Sequence, residues 1–244
     1  MMIEALMVGF LSGGPMYDNT PALNAFIQSC TTDCVLHIPK GQYYFNTAPE
    51  PVTKTVHIVG DGMNDTVLYR NYNGNLLHYT AGGGSSVRNI TLGAYSGSGG
   101  SALSLESQAS GTSPDFFIGE NINITVYNGA TWGIGLNLNG VYRARQPLSG
   151  LRDLYFNNIF VFGSTTAALN INTVHGAKIY GQFYPAGGTT SKILFNAWAD
   201  DKNNAIILES PYLSEVQLYN TIQSVILTSS IGSLSNIGSI VKIP

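Results

Sequence analysis

The sequence predicts an all-β chain wound as a solenoid of stacked parallel coils and closed at one end by a short helix. Three observations predict it. Short apolar runs separated by turn residues fill most of the chain, one amphipathic helical segment lies near the start, and a short motif repeats at Asn89, Asn123 and Asn158. Composition agrees. The 244 residues include 28 Gly and 10 Pro, enough for many turns, and 44% are hydrophobic, too many for a disordered chain. Only 10% are charged, against about 25% in an average soluble domain. With 11 Lys+Arg against 14 Asp+Glu, the net charge of -3 argues against a general nucleic-acid binder. The 22 Asn and 26 aromatic residues keep a β surface polar without charge, and they suit sugar binding. No apolar run approaches the roughly 18 residues of a membrane-spanning helix.

Residues 1–10 are apolar, but they carry Glu4 and no Lys or Arg. They therefore read as a strand or helix covering one end of the fold rather than as a secretory signal. Asp18, Asn19 and Thr20 offer N-caps, Pro21 suits the first helical turn, and Ala22, Leu23, Phe26, Ile27 and Cys30 share one face. The helix is expected to end near Thr31. Cys30 and Cys34 are read as buried thiols, because an i,i+4 pair is a poor disulfide in most backbones. With His37 they make only half of a metal site. Strands are expected at 35–38, 55–59, 66–69, 76–79 and 87–92. Further strands are expected at 122–126, 133–138, 154–162, 168–171, 178–183, 192–195, 205–208, 216–219, 224–227 and 239–243.

Regularly spaced short strands fit a sandwich, a barrel or a solenoid, and the repeat selects the last. Asn89-Ile-Thr-Leu92 returns as Asn123-Ile-Thr-Val126 and Asn158-Ile-Phe-Val161. A second apolar strand follows each copy, at 101–105, 133–138 and 167–171. A two-strand unit cannot bury its apolar face alone, whereas stacked units do. Stacking brings equivalent positions about 4.8 Å apart and lets Asn amides form a ladder. Two copies also match the N-glycosylation sequon, which is discounted inside strands.

The segment Asp18-Asn-Thr-Pro-Ala-Leu-Asn-Ala-Phe-Ile-Gln28, then Val35-Leu-His-Ile-Pro-Lys-Gly-Gln-Tyr-Tyr44, resembles the opening of pectate-lyase-like right-handed parallel β-helices. So do Val56-His-Ile-Val-Gly-Asp-Gly62 and Thr66-Val-Leu68 after it. Among such proteins the style is closest to bacteriophage tailspikes and tail-fibre depolymerases. The family's Gly-Asp-Gly before the helix is replaced here by Ser12-Gly-Gly-Pro-Met-Tyr17. The resemblance implies an N-terminal cap over 1–34 and continuous coils over 35–244. It also implies a homotrimer in the virion tail with other phage tail proteins as partners, and binding, with or without cleavage, of bacterial surface polysaccharide. Spikes of this kind normally carry a virion-attachment segment ahead of the cap, which leaves two readings, a fragment or a short form. Residues 224–244 are expected to form a final coil or trimer contacts.

Glycoside hydrolysis needs two carboxylates several Å apart, and lyase chemistry needs a base and a group that neutralises a uronate. The densest polar stretch holds Trp198, Asp200, Asp201 and Lys202, followed by Glu209, Tyr212 and Glu215. Asp200, Asp201 and Glu209 are the candidate catalytic carboxylates, with Trp198 and Tyr212 as stacking platforms for sugar rings. The alternative is a solvated turn. Arg143, Arg145 and Arg152, with Asp153 and Glu120 nearby, are candidates for gripping the carboxylates of an acidic capsule. Their alternative is a loop that pairs with Asp153 or with a neighbouring subunit. Trp132 reads as core or platform. His37, His57, His78 and His175 read as structural, and no cofactor or metal is expected, since no P-loop, zinc spacing or Ser-His-Asp elbow occurs. Three functions remain: a glycan-binding and depolymerising spike domain, a non-catalytic receptor-binding or structural fibre module, and a secreted pectinase. The last lacks the acid and His signatures it needs.

Overall fold

The computed structural model describes residues 2–4, 9–141, 150–185, 192–196, 204–210, 213–219, 225–228, 231–237 and 241–242. The chain is a parallel β-helix with three faces and an N-terminal capping helix. All pairings among the described strands are parallel, as in β1 (Met2–Glu4) beside β2 (Cys34–Ile38). The first face continues through β4 (Val56–Gly60) and the opening parts of β7 (Ser86–Ser96), β9 (Ile118–Val126), β11 (Leu151–Asn172) and β12 (Val174–Pro185). It ends in β14 (Asn204–Glu209), β16 (Val225–Thr228) and β18 (Val241–Lys242). The second face comprises β3 (Gly41–Phe45), β5 (Thr66–Asn71) and the later parts of β7, β9, β11 and β12. The third comprises β6 (Leu77–Tyr79), β8 (Ser101–Glu106), β10 (Trp132–Asn139), the end of β11, β13 (Lys192–Asn196), β15 (Leu213–Tyr219) and β17 (Ile231–Ile237).

Alternation along each strand sends one side chain in two into the solenoid, and parallel register stacks these into columns. On the first face one column reads Leu36, Ile58, Val87, Gly119, Phe156, Ile179 and Leu208. Its side chains are sealed from solvent, each such burial stabilising the fold by roughly 1.5–3 kcal/mol. Gly119 is small for a reason. A Cβ there would stand 2.4 Å from a ring carbon of Phe156.

The cap forms as the sequence predicts. Helix α1 (Thr20–Ser29) has proline in its first turn and buries Ala22, Leu23, Phe26 and Ile27. Its N-cap differs from expectation. The Asn19 side chain donates to the carbonyls of Leu11 (3.1 Å) and Tyr44 (3.1 Å), tying the helix start to the first coil instead of capping it. Asp18 accepts the N–H groups of Thr20 and Asn46, both at 3.0 Å.

The cysteines also depart from the sequence reading: Cys30 and Cys34 are disulfide-bonded. Spacing alone predicted otherwise because it presumed a regular backbone. Cys30 instead leaves the helix in an extended conformation, and residues 31–33 turn back, so the Cα atoms come within 5.9 Å. Closing so small a loop is worth about 2 kcal/mol in the chain-entropy account. The Cys30→Ser, Cys34→Ser double variant is therefore expected to lower stability by about that amount, read from the shift of a urea midpoint. An unchanged midpoint would show that the link does not hold the cap.

Trp132 belongs to the core, fully buried, with its indole N–H donating to the Thr125 carbonyl at 2.9 Å. The equally buried Arg70 lays its guanidinium 4.2 Å over the Trp132 ring. That guanidinium also donates to the carbonyls of Gly74, Ser96, Gly99 and Thr131. Burial pulls its pKa below the ordinary value.

Candidate functional site

The corner between the first two faces is made by asparagine. Strands β7, β9 and β11 bend at Asn89, Asn121 and Asn158, whose φ angles are 56°, 53° and 54°. This left-handed conformation penalises most side chains but is tolerated by Asn. The side-chain amides form a ladder: Asn121 donates to Asn89 (2.8 Å) and Asn158 donates to Asn121 (2.9 Å). The ladder expected from the repeat therefore exists, but with Asn121 rather than Asn123 as its middle rung. Asn123 lies beside Thr91 and Phe160 instead. Matching the Asn-Ile-Thr string placed the middle copy two residues late. The structural match is Ile90, Ile122 and Ile159, each following a bend. The trailing strands stack as expected, Leu103, Leu136 and Leu169 in one column.

The ladder stops where β12 begins. Strand β11 places Asn157 and Asn158 between Phe156 and Ile159, whereas β12 has Tyr180 alone between their partners Ile179 and Gly181. Gly181 then approaches closely, and a Cβ there would stand 2.4 Å from the Ile159 carbonyl oxygen. This mismatch opens a groove of about 690 Å³ along the corner. Asn123, Asn157, Asn158, Phe160, Tyr180, Gln182, Glu209 and Ser210 line it, and Met63 and Asn64 reach over from an earlier turn. Phe160 packs against Tyr184 with ring centroids 5.3 Å apart, and Tyr180 lies edge-on to Tyr155 at 6.2 Å. Beside the groove an aromatic column runs up the outside of the second face. Tyr44 and Tyr69 lie 4.8 Å apart, and Tyr69 and Tyr127 meet at 5.0 Å across Gly93. Burial raises the Tyr69 phenol pKa well above its ordinary value.

Of the sequence-predicted site residues that the structure describes, Glu209 alone lies in this groove, exposed at the end of β14 opposite Tyr180. Asp200, Asp201, Trp198 and Tyr212 fall outside the described residues, as do Arg143 and Arg145. Arg152 is described and is engaged by Asp115. Its Nε and Nη2 donate to one carboxylate oxygen at 3.0 and 2.8 Å, and its backbone N–H donates to the other at 3.0 Å. Glu120 faces Arg88 at 3.3 Å. Sequence reading missed Asn157, Phe160, Tyr180 and Gln182. The Asn157-Asn158 doublet gave no signal, since it fills a corner of the same length as Arg88-Asn89 and Glu120-Asn121; β12 is the strand that is one residue short there.

A second groove, of about 670 Å³, lies between the helix cap and the corner of the third and first faces, lined by Gln28, Glu50, Lys54, His78 and Glu106 among others. Its charged groups are engaged. His78 meets Glu106 at 2.9 Å, Gln28 donates to both oxygens of Glu50 at 3.0 Å, and Lys54 donates to the carbonyls of Gln28 and Cys30 at the helix end. His37 and His57 likewise meet Asp61 and Asp33, both at 2.7 Å. No cluster of three or more His, Cys, Asp or Glu suited to a metal occurs among the described residues. No described helix is long and apolar enough to cross a membrane.

No family model and no curated protein matches this sequence. Among solved structures, the chain is similar to ORF18 of Geobacillus virus E2, at 10% identity and a TM-score of 0.38. The likeness covers 99% of this chain and 61% of the phage protein, so the chain spans about three-fifths of that protein's length. It is also similar to the A-module of the mannuronan C-5 epimerase AlgE4 of Azotobacter vinelandii, at 10% identity and a TM-score of 0.33, over 98% of this chain and 97% of that module. The strand pairing itself makes the fold a parallel β-helix, the fold class that the resemblance of the opening motif implies.

Proposed function

We propose that this chain is a host-recognition module of the tailspike or tail-fibre kind, which binds bacterial surface polysaccharide along the corner groove and depolymerises it. One observation carries the reading: an open groove runs across successive coils, and side-chain amides, two aromatic rings and one carboxylate line it. Amides exchange hydrogen bonds with sugar hydroxyls, and aromatic faces take the C–H face of a pyranose. The coil rise of about 4.8 Å repeats these groups on the scale of a sugar unit. Glu209 supplies one carboxylate for general acid or base work, and Asp200 or Asp201 the second. Assembly as a homotrimer in the virion tail, with other tail proteins as neighbours, belongs to the same reading. So does stacking of sugar rings on Trp198 and Tyr212.

A non-catalytic binding module is the second reading. It is favoured by Glu209 being the one carboxylate among the described groove residues, where glycoside hydrolysis takes a pair about 5–9.5 Å apart. Host capsule incubated with the chain separates the two. Phe160→Ala is expected to weaken capsule retention roughly three- to tenfold. Glu209→Gln and either Asp200→Asn or Asp201→Asn are expected to abolish release of reducing ends while retention persists. Release at the parental rate by all three carboxylate variants would remove the catalytic assignment. Retention of no capsule of any serotype would remove the binding assignment. Light scattering on the same sample reports the trimer.

A further inference from the structure

Resting on that reading of the groove, we infer that its substrate is an uncharged polysaccharide rather than a polyuronate or other acidic capsule. Among the described residues the lining is mostly amide, aromatic and hydroxyl, with one carboxylate, Glu209, at the end where β14 meets Tyr180. Amides donate and accept equally well, which matches the hydroxyl and acetamido groups of neutral sugars. An acidic chain lying across successive coils would instead bring carboxylates of its own beside Glu209. Like charges at such spacing repel, and recognition of a carboxylate calls for an arginine fork or a lysine.

The cations near this corner are committed elsewhere or stand aside. Arg88, in the register row that leads through Glu120 to Asn157, faces the Glu120 carboxylate. Lys178 is exposed on β12 but lies two residues before Tyr180, outside the lining. Between residues 203 and 241 the sequence holds no Lys or Arg, whereas it holds Glu209 and Glu215. Arg152 sits at a different corner, engaged by Asp115. Among the described residues, the groove is left to neutral donors and acceptors with Glu209 as the one charge.

The test is affinity electrophoresis of the whole chain through gels cast with a neutral bacterial polysaccharide or with a polyuronate, at low and at physiological salt. The expected result is retardation by the neutral polymer that is insensitive to salt, and little by the polyuronate. Glu209→Gln is expected to raise polyuronate retardation about fivefold at physiological salt by removing the like charge. Phe160→Ala is expected to reduce retardation by the neutral polymer, which ties the effect to this groove. Retardation by the polyuronate alone, weakened by salt, would overturn the substrate class and leave groove binding standing. Retardation by neither polymer would overturn both.

Discussion

Arg70→Ala is expected to lower the stability of the fold by about 3–5 kcal/mol, the range for breaking a buried polar cluster by removing one partner. Four carbonyls, those of Gly74, Ser96, Gly99 and Thr131, now point at one guanidinium. Ser96 ends β7 and the other three lie in turns, so one side chain ties successive coils together. Removing it leaves buried acceptors without donors and a void against the face of Trp132, where the guanidinium lies 4.2 Å from the ring. Arg70→Met refills most of the volume but supplies no donor, and it is expected to recover little. Arg70→Lys keeps the charge with fewer donors and no planar stack, and it is expected to fall between. Urea midpoints of the three variants check the order. If alanine shifts stability by less than about 1 kcal/mol, the carbonyls are satisfied by other means and the cation is not what ties these turns.

Asn121→Ala carries the second large effect, about 2–3 kcal/mol, because it removes two things at once. The amide that donates to Asn89 and accepts from Asn158 is lost, worth roughly 1 kcal/mol per hydrogen bond. A Cβ-bearing residue without the asparagine amide must also hold φ near 53°, which costs about a further 1 kcal/mol. Asn121→Gly separates the parts, since glycine accepts that backbone freely but forms no ladder, and it is expected to recover about 1 kcal/mol of the loss. Asn158, released from its rung, lines the groove, so both variants are expected to weaken capsule retention together. Retention unchanged in the glycine variant would show that the ladder supports the corner without positioning the groove.

The register of this corner shows how far the sequence could be read. The winding was legible because periodic burial leaves a periodic trace. The proline-led helix buries Leu23, Phe26 and Ile27, and the strands that follow the repeat stack with Leu103, Leu136 and Leu169 aligned. The middle copy of the repeat was misplaced because Asn-Ile occurs twice within Asn121-Ile-Asn-Ile124, and a string match cannot tell which asparagine sits at the bend. Backbone conformation decides that: Asn121 has φ 53° and Asn123 lies within a ladder-paired stretch of strand. The disulfide was missed for a related reason. Spacing of four says little about Cα separation once the helix has ended before the first cysteine, and here the turn after Cys30 brings them to 5.9 Å. The groove was only touched. Glu209 was singled out for its carboxylate, whereas Asn157, Phe160, Tyr180 and Gln182 carry no chemical rarity that marks them in a chain with 22 Asn and 26 aromatics.

By itself, the sequence determined the winding: which residues turn inward, that coils stack in parallel, and that a helix closes the first of them. Hydrophobic alternation and turn residues act locally, and a few neighbours suffice to express them. The tertiary structure alone decided which residues meet across coils. Arg70 and Thr131 are 61 positions apart, Asn121 and Asn158 are 37 apart, and each pair forms a hydrogen bond. Such partners depend on how many residues each coil takes to go round. One residue fewer, the single Tyr180 of β12 against Asn157-Asn158 of β11, is enough to end a ladder and open a groove.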